Sequence, residues 1–295
     1  MRPNTIVRKI TTTPPLALVR KLTDRLSVAS RLIFADFRQV PPAILRTRRT
    51  GKKPYILAYT GYMHNSAGRV ACHRLVHELN LAGYDAFSLG PVNPLWKELS
   101  LTRLGLFFLM RFGDPIVIYP EVISGNPVGA RRVARWVLNV PGHLGGDAEF
   151  DHRELVYAWS KEFYDTDRIL SWDVVDRALF NDYNLPPKEK VCCYVGKGEL
   201  RGANPIPFTE GMIQITRSWP PARREMAELL RATRVLYTYD DVTMLIFEAL
   251  LCGCQVILLP EYRELKLDDP LWQFVDADHH AELDRFIKET QNLAN

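Results

Sequence analysis

The stretch from Tyr237 to Pro260, YTYDDVTMLIFEALLCGCQVILLP, decides the fold, because it predicts a strand, a helix and a second strand in succession. The residues before Asp240 are typical of the end of a buried strand, and Val256 to Leu259 are typical of the start of another. Between them the apolar positions have helical spacing, and Gly253 follows where a helix ends in a residue with positive φ. This order predicts half of a doubly wound sheet, in which ligands bind at the carboxyl ends of the strands.

Polar residues in this stretch occur where a nucleotide would be bound. Asp240 and Asp241 follow the first strand, and Thr243 opens the helix, whose free N–H groups favour an anion. Glu248 lies behind apolar residues of the helix, and a carboxylate there suits the two hydroxyl donors of a vicinal diol. The alternative is that Thr243 or Asp241 is a helix cap and Glu248 a solvated residue.

The spacing of Asp240 and Glu248 resembles that of the two acids in retaining glycosyltransferases of the GT-B fold, especially family 4. The resemblance extends through Ala249 and the Cys252-Gly253 turn into an apolar strand. It implies an α/β protein of two Rossmann-like doubly wound domains facing a cleft. It also implies that Glu248 binds the ribose of a nucleotide-sugar and that Asp240 holds the sugar. The chain departs from the family because Asp240 replaces the usual Glu and the following Gly-Phe-Gly-like loop is absent.

The length of 295 residues is comfortable for two domains. We predict a basic amphipathic arm at 1–53, an acceptor domain at 54–185, a nucleotide-sugar domain at 186–272 and a C-terminal helix at 273–295. In GT-B proteins a terminal helix often crosses back to the first domain, and the resemblance implies the same here.

The acceptor domain is predicted to open with a βαβ unit, whose strands are 55–59 and 85–89 and whose helix is 69–81. We predict further strands at 116–119, 156–159 and 168–171, and a basic helix at 129–136. In the second domain we predict strands at 191–195 and 212–215 and a helix at 222–232.

In GT-B enzymes the loop after the first strand faces the cleft and commonly contacts acceptor or donor, and the resemblance implies the same for this chain. The acceptor-binding candidates are Gly61, Tyr62 and Asn65 of this loop and Glu121 after the third strand.

Three residues are candidates for catalysis. His64 can act as a general base on an acceptor hydroxyl. His143 lies in the glycine-rich turn 141–146, and in family 4 a His at a similar place contacts the donor sugar. Asp240 is the third, and Glu121, a carboxylate that follows a strand, is a further possibility. The sequence does not rank the two histidines against Glu121.

The donor's diphosphate is expected to bind after the strand at 191–195. Family members often carry two cations in a glycine-containing element there, and Gly196, Lys197 and Arg201 occupy that region with a changed spacing. Two cations in a glycine loop suit a diphosphate. An ordinary solvated basic loop is the alternative.

The basic arm is strongly charged. Residues 1–53 carry a net charge of +11, whereas the whole chain is +4, so the remainder carries −7. The arm has apolar residues at helical intervals followed by a basic tail at 46–53, a pattern that favours an anionic membrane surface. A helix packed on the first domain or a solvated arm are the alternatives.

Five cysteines at 72, 192, 193, 252 and 254 have neither zinc-site nor disulfide spacing and are expected to be buried thiols in a reducing cytoplasm. No apolar run reaches the roughly 20 residues of a membrane span. We expect no cofactor and no metal, the nucleotide-sugar being a substrate, and a location in the cytoplasm at the inner face of the membrane.

The predicted function is transfer of a sugar from a nucleotide-sugar to a glycan or lipid-linked acceptor in the synthesis of cell-surface polysaccharide, lipopolysaccharide included. One alternative is a GT-B nucleotide-sugar epimerase. Another is a non-catalytic GT-B-like protein whose basic arm binds lipid or nucleic acid, although nucleic acid is not an expected partner of the enzyme.

Overall fold

The computed structural model describes residues 15–173, 175–201, 209–241, 243–269 and 278–293. The start of the predicted arm and the predicted domain boundary at 272 lie outside these ranges, and the side chain of Arg201 lies outside the description as well.

The described residues contain six α-helices. They are α1 (Pro15–Thr50), α2 (Ala67–Leu81), α3 (Arg103–Phe112), α4 (Arg223–Arg231), α5 (Met244–Leu251) and α6 (His279–Gln291). A short 3-10 helix spans Gly196–Arg201.

The first sheet has six strands in the described residues. They are β1 (Tyr55–Leu57), β2 (Ala86–Leu89), β3 (Leu99–Leu101), β4 (Ile116–Pro120), β5 (Arg132–Val137) and β6 (Leu155–Ala158). All neighbouring strands are parallel, in the order β3-β2-β1-β4-β5-β6. The winding reverses between β1 and β4, which makes the sheet doubly wound and opens a crevice at the carboxyl ends of its strands.

The second sheet has five strands in the described residues. They are β7 (Lys190–Tyr194), β8 (Ile213–Ile215), β9 (Thr233–Thr238), β10 (Gln255–Leu258) and β11 (Arg263–Leu265). Their order is β11-β10-β9-β7-β8, and every pair is parallel except β10 with β11. The β9-α5-β10 unit confirms the strand–helix–strand prediction, and Gly253 after α5 has the expected positive φ of 71°. Two Rossmann-like α/β sheets of this kind are the architecture of the GT-B fold class.

Helices cover both faces of the first sheet. Successive strand residues point to opposite faces, so Ile56 and Val117 pack with α1 and α3, whereas Leu57 and Ile118 pack with α2 and α6. Each large apolar side chain buried in these layers contributes about 1.5–3 kcal/mol. The carboxyl ends of the strands are left for the loops that form the site.

The last helix, α6, returns to the first sheet although it follows the second sheet in sequence. The ring of Phe286 lies 5.0 Å from that of Tyr157 and 6.1 Å from that of Tyr55. The hydroxyl groups of Tyr55 and Thr290 are 2.8 Å apart. These contacts hold the C-terminal part of the described chain against the first domain.

The predicted basic helix at 129–136 is wrong, because this segment forms strand β5. Arg132 and Arg135 of this strand are buried and paired, whereas Arg131 before it is exposed. Arg135 binds the Glu154 carboxylate at 2.7 and 2.9 Å, and Arg132 pairs with Asp114. Pairing with acids offsets the cost of burying the charges. The charge pattern of the sequence did not indicate that these arginines have acidic partners.

Two further predictions need correction. The basic tail predicted at 46–53 is helical through Thr50, whose hydroxyl donates to the carbonyl of Arg46 at 2.8 Å. The strand predicted at 168–171 is a single bridge between Ala158 and Ile169. In the described ranges, no helix combines the length and apolar character that crossing a bilayer requires.

Candidate active site

A cavity of about 750 Å³ lies between the carboxyl ends of the two sheets. Glu121, after β4, and Leu138, after β5, line it from the first sheet. Tyr194, at the end of β7, and Lys197 and Arg217, after β7 and β8, line it from the second. Small-molecule sites have volumes of about 300–1,000 Å³. The cavity is therefore large enough for a substrate and is bounded by both domains.

Glu121 is the buried acid of this cavity. Its side chain lines the cavity at the end of β4, and its Oε2 accepts a hydrogen bond from the backbone N–H of Leu138 at 2.9 Å. Burial raises the pKa of Glu121 to about 7, although the hydrogen bond from Leu138 and the charges of Lys197 and Arg135 act in the opposite direction. A carboxyl group with a pKa near neutrality can take up or release a proton during a reaction at pH 7.

The glycine-rich turn that contains His143 packs directly on the end of β4. A Cβ atom at Gly146 would lie 1.9 Å from the carbonyl oxygen of Glu121, and Gly146 has a φ of +78°. Only glycine permits both the conformation and the approach. The turn therefore places the exposed His143 at the same cavity as Glu121, and the roles predicted for both residues stay predictions.

Asp240 lies behind the cavity wall and holds the loop after β7. It is fully buried, its Oδ2 accepts a hydrogen bond from the backbone N–H of Lys197 at 3.0 Å, and its Oδ1 lies 3.8 Å from Lys197 Nζ. Gly196 has a φ of +56°, and a Cβ atom there would lie 2.8 Å from Asp240 Oδ2. Asp240 thus orients the predicted phosphate-binding loop from within the protein.

The amino terminus of α5 faces the cavity beside Lys197. Thr243 is the N-cap of α5, its Oγ1 accepts from the N–H of Leu245 at 3.4 Å, and it lines the cavity with Tyr194. Burial raises the pKa of Tyr194, and a hydrogen bond with Thr243 lowers it. Asp241 is half-buried just before this cap. A helix amino terminus with a neighbouring lysine attracts an anion.

Glu248 is buried in α5, which excludes the solvated alternative, and it pairs with Arg223 at the start of α4. The guanidinium nitrogens of Arg223 lie 2.5 Å from Oε1 and 3.2 Å from Oε2 of Glu248. Burial raises the pKa of Glu248, and Arg223 opposes this shift. The adjoining cavity measures about 110 Å³, which is below the size of a nucleotide site. The ribose-binding role of Glu248 stays a prediction. It requires the two carboxylate oxygens of Glu248 to exchange the Arg223 guanidinium for the ribose hydroxyls.

The loop after β1 joins the two domains. The amide of Asn65 donates to the carbonyl of Arg217 across the cleft at 2.9 Å, and the exposed His64 lines the smaller cavity. Tyr62 packs edge-on to Trp96 at 5.5 Å, and a Cβ atom at Gly61 would lie 2.4 Å from the Pro91 ring. Asn65 and His64 therefore lie at the cleft, whereas Gly61 and Tyr62 pack against neighbouring loops.

Arg217, Arg223 and Tyr194 are site residues that the sequence analysis did not identify. Arg217 and Tyr194 lie at the carboxyl ends of β8 and β7, so the rule that ligands bind there could have found them. Arg223 had no comparable signal, because its role depends on the packing of α4 against α5.

Among the described residues, no group of three or more His, Cys, Asp or Glu side chains is arranged to hold a metal ion. All five cysteines are buried thiols, as the sequence predicted.

Neither a protein-family model nor a curated protein matches the chain. Among solved structures it is similar to the wall teichoic acid polymerase TagF, with 11% sequence identity and a TM-score of 0.36. The similarity covers 96% of this chain and 92% of that one.

Proposed function

We propose that this protein transfers a sugar from a nucleotide-sugar to a hydroxyl group of a glycan or lipid-linked acceptor in cell-surface polysaccharide synthesis. The observation that carries the proposal is the cavity between the sheets, where the buried Glu121 lies across from the cationic side formed by Lys197 and Arg217. A proton-accepting group opposite an anion-binding wall suits transfer from a sugar diphosphate.

The second domain would bind the donor. Lys197, Arg217 and the amino terminus of α5 offer positive charge to the diphosphate on one side of the cavity. Arg223 extends this charge towards the smaller cavity, where it is oriented by Glu248. Charges that are already in position stabilise the negative charge that develops on the leaving group without reorganisation.

The first domain would bind the acceptor and receive its proton. The acceptor oxygen forms a bond to the anomeric carbon of the sugar while the bond from that carbon to the diphosphate oxygen breaks. The electron pair leaves with the nucleoside diphosphate, and the acceptor's proton passes to the Glu121 carboxylate. Its pKa of about 7 suits this transfer at neutral pH.

Donor binding can be tested by thermal shift with UDP, GDP, dTDP, ADP and CMP, each with and without its common sugars. A ligand at 100 times its Kd adds about 2.7 kcal/mol of stability. We expect one nucleotide to stand out and the shift to fall in K197M and R217M. R224M is the matched control, because Arg224 is an exposed arginine on α4. A panel without any shift would contradict the donor site.

The role of Glu121 can be tested separately with E121Q and the nucleotide-sugar selected by that panel. We expect the variant to bind the donor as the wild type does and to release nucleoside diphosphate about 10²–10⁴ times more slowly in the presence of acceptor extracts. Unchanged turnover in E121Q would reject Glu121 as the base, and H64Q and H143Q would then test the two histidines.

A further inference from the structure

The outer surface formed by α1 and α3 carries an apolar face surrounded by arginines. We propose that this surface docks on an anionic lipid bilayer, with the phenylalanines of both helices entering the interface. The inference is independent of the proposed transferase activity.

Helix α3 is apolar on two opposite faces, but the described residues cover only one. Leu109 is fully buried against the sheet. On the outer face, Phe107 is 59% exposed, and Leu104, Phe108 and Phe112 are exposed beside it at helical spacing. A helix that is apolar all round is normally buried on every side. The outer face of α3 therefore fits a second apolar environment.

Helix α1 packs beside α3 and presents a similar face. Its inner side buries Val40 and Ala43, whereas Phe34 is 69% and Phe37 is 66% exposed. Phenylalanine is costly to keep in water, and two neighbouring helices that both expose it form a surface suited to an apolar phase.

The charges on the same two helices indicate which apolar phase this is. Among the described side chains, the exposed arginines are Arg31, Arg38, Arg46, Arg48 and Arg49 on α1, of which Arg46 pairs with Asp85, and Arg103 and Arg111 on α3. Between residues 30 and 50 the sequence has a single acid, Asp36, which is buried, and α3 has none. Phenylalanines with arginines at their edges match the acyl chains and anionic headgroups of a bilayer. A second copy of this chain would oppose arginine with arginine, which disfavours self-association.

The two helices keep a fixed relationship, so that they present one surface. The Asp36 carboxylate on α1 accepts hydrogen bonds from the backbone N–H groups of Thr102 at 3.3 Å and Gly105 at 3.0 Å, at the start of α3. The docking surface thus extends beyond the basic arm expected from the sequence, because α3 lies outside residues 1–53.

Flotation of the full chain with lipid vesicles tests the proposal. We expect flotation with phosphatidylcholine vesicles that contain phosphatidylglycerol and little with phosphatidylcholine alone. F107S/F108S is expected to lower the partition coefficient about tenfold or more, because it removes two inserted rings. The control is L81S, since Leu81 is an exposed apolar residue on α2, on the opposite face of the sheet.

The charges are tested by R103Q/R111Q, which is expected to weaken binding to the anionic vesicles relative to the control R224Q. Urea unfolding verifies that each variant is folded. If the serine variant does not fold, the arginine variant still tests the proposal. Wild-type flotation by F107S/F108S, or equal binding to neutral vesicles, would overturn the proposal. A concentration-dependent dimer that F107S/F108S abolishes, without vesicle binding, would assign the surface to a second copy instead.

Discussion

Both carboxylate oxygens of Glu248 bind the guanidinium of Arg223, which joins the first turn of α4 to the middle of α5. The pair fixes the two helices of the second domain beside the cleft. The sequence predicted that Glu248 faces a ribose, and in the structure the carboxylate faces the guanidinium of Arg223. The pair therefore sets the charge distribution along the wall of the smaller cavity.

The first prediction concerns this pair. R223M leaves the buried carboxylate without its partner, so we expect a loss of about 3 kcal/mol in the free energy of unfolding at pH 7. The loss should shrink at low pH, where Glu248 becomes neutral. The double variant R223M/E248L should be more stable than R223M, because no buried charge remains.

Urea unfolding of the three proteins measures these differences. R224M, on the same helix but exposed, is the control and is expected to change stability by about 0.5 kcal/mol or less. Equal losses in R223M and R224M would mean that the ion pair does not stabilise α4 against α5.

The second prediction is a pH dependence of stability caused by Glu121. Its pKa is about 7 in the folded state and the ordinary value is 4.5, so the folded protein binds the extra proton between these two values. The stability that Glu121 contributes is complete below pH 4.5 and is lost as the pH rises through 7. The full effect is about 3 kcal/mol.

E121Q removes this titration. We expect the variant to be more stable than the wild type at pH 8 and similar to it near pH 4.5, as measured by urea unfolding at each pH. Parallel stability curves for the two proteins would contradict the raised pKa.

The third prediction tests why the turn at 141–146 needs glycine. Gly145 and Gly146 both have positive φ, but only Gly146 is in close contact, with the Glu121 carbonyl oxygen. Because the backbone strain is common to both, G146A should be about 1–3 kcal/mol less stable than G145A through overpacking alone. Thermal unfolding of the two variants gives the difference directly, and equal midpoints would show that the turn can move away from β4.

The fourth prediction tests the loop that is expected to hold the diphosphate. Gly196 and Gly125 have nearly the same φ, +56° and +57°, but a Cβ atom at 196 would lie 2.3 Å from the Tyr194 ring, whereas position 125 is open. G196A should displace the loop that carries Lys197 and weaken nucleotide binding about tenfold, a change of 1.4 kcal/mol. G125A should bind as the wild type does in the same titration. Equal nucleotide affinities in G196A and G125A would mean that this loop is not part of the donor site.

The fifth prediction concerns the junction of α1 and α3. D36A removes the acceptor of the N–H groups of Thr102 and Gly105, so we expect a loss of about 1–2 kcal/mol. Amide hydrogen exchange should rise at the start of α3. D278A is the comparison variant, because it removes the single capping hydrogen bond that Asp278 accepts from Ala281 in α6. Unchanged exchange at Gly105 in D36A would show that the junction does not depend on this carboxylate.

The sequence by itself determined the β9-α5-β10 unit, because helical spacing between two apolar runs, closed by Gly253, is compatible with few other local structures. It also determined that Glu121 follows a strand and therefore lies at the edge where a parallel sheet binds ligands. Local patterns were sufficient for these conclusions, since neighbours in sequence set the helix ends and the strand ends.

Only the tertiary structure decided which partners the charged residues have. Arg135 belongs to a buried strand because Glu154 neutralises it, and Glu248 faces Arg223 because α4 packs on α5. The partners in these pairs are 19 and 25 residues apart in sequence. Burial and pairing depend on long-range packing. The residues next to a charged side chain in sequence do not indicate which distant partner makes its burial possible.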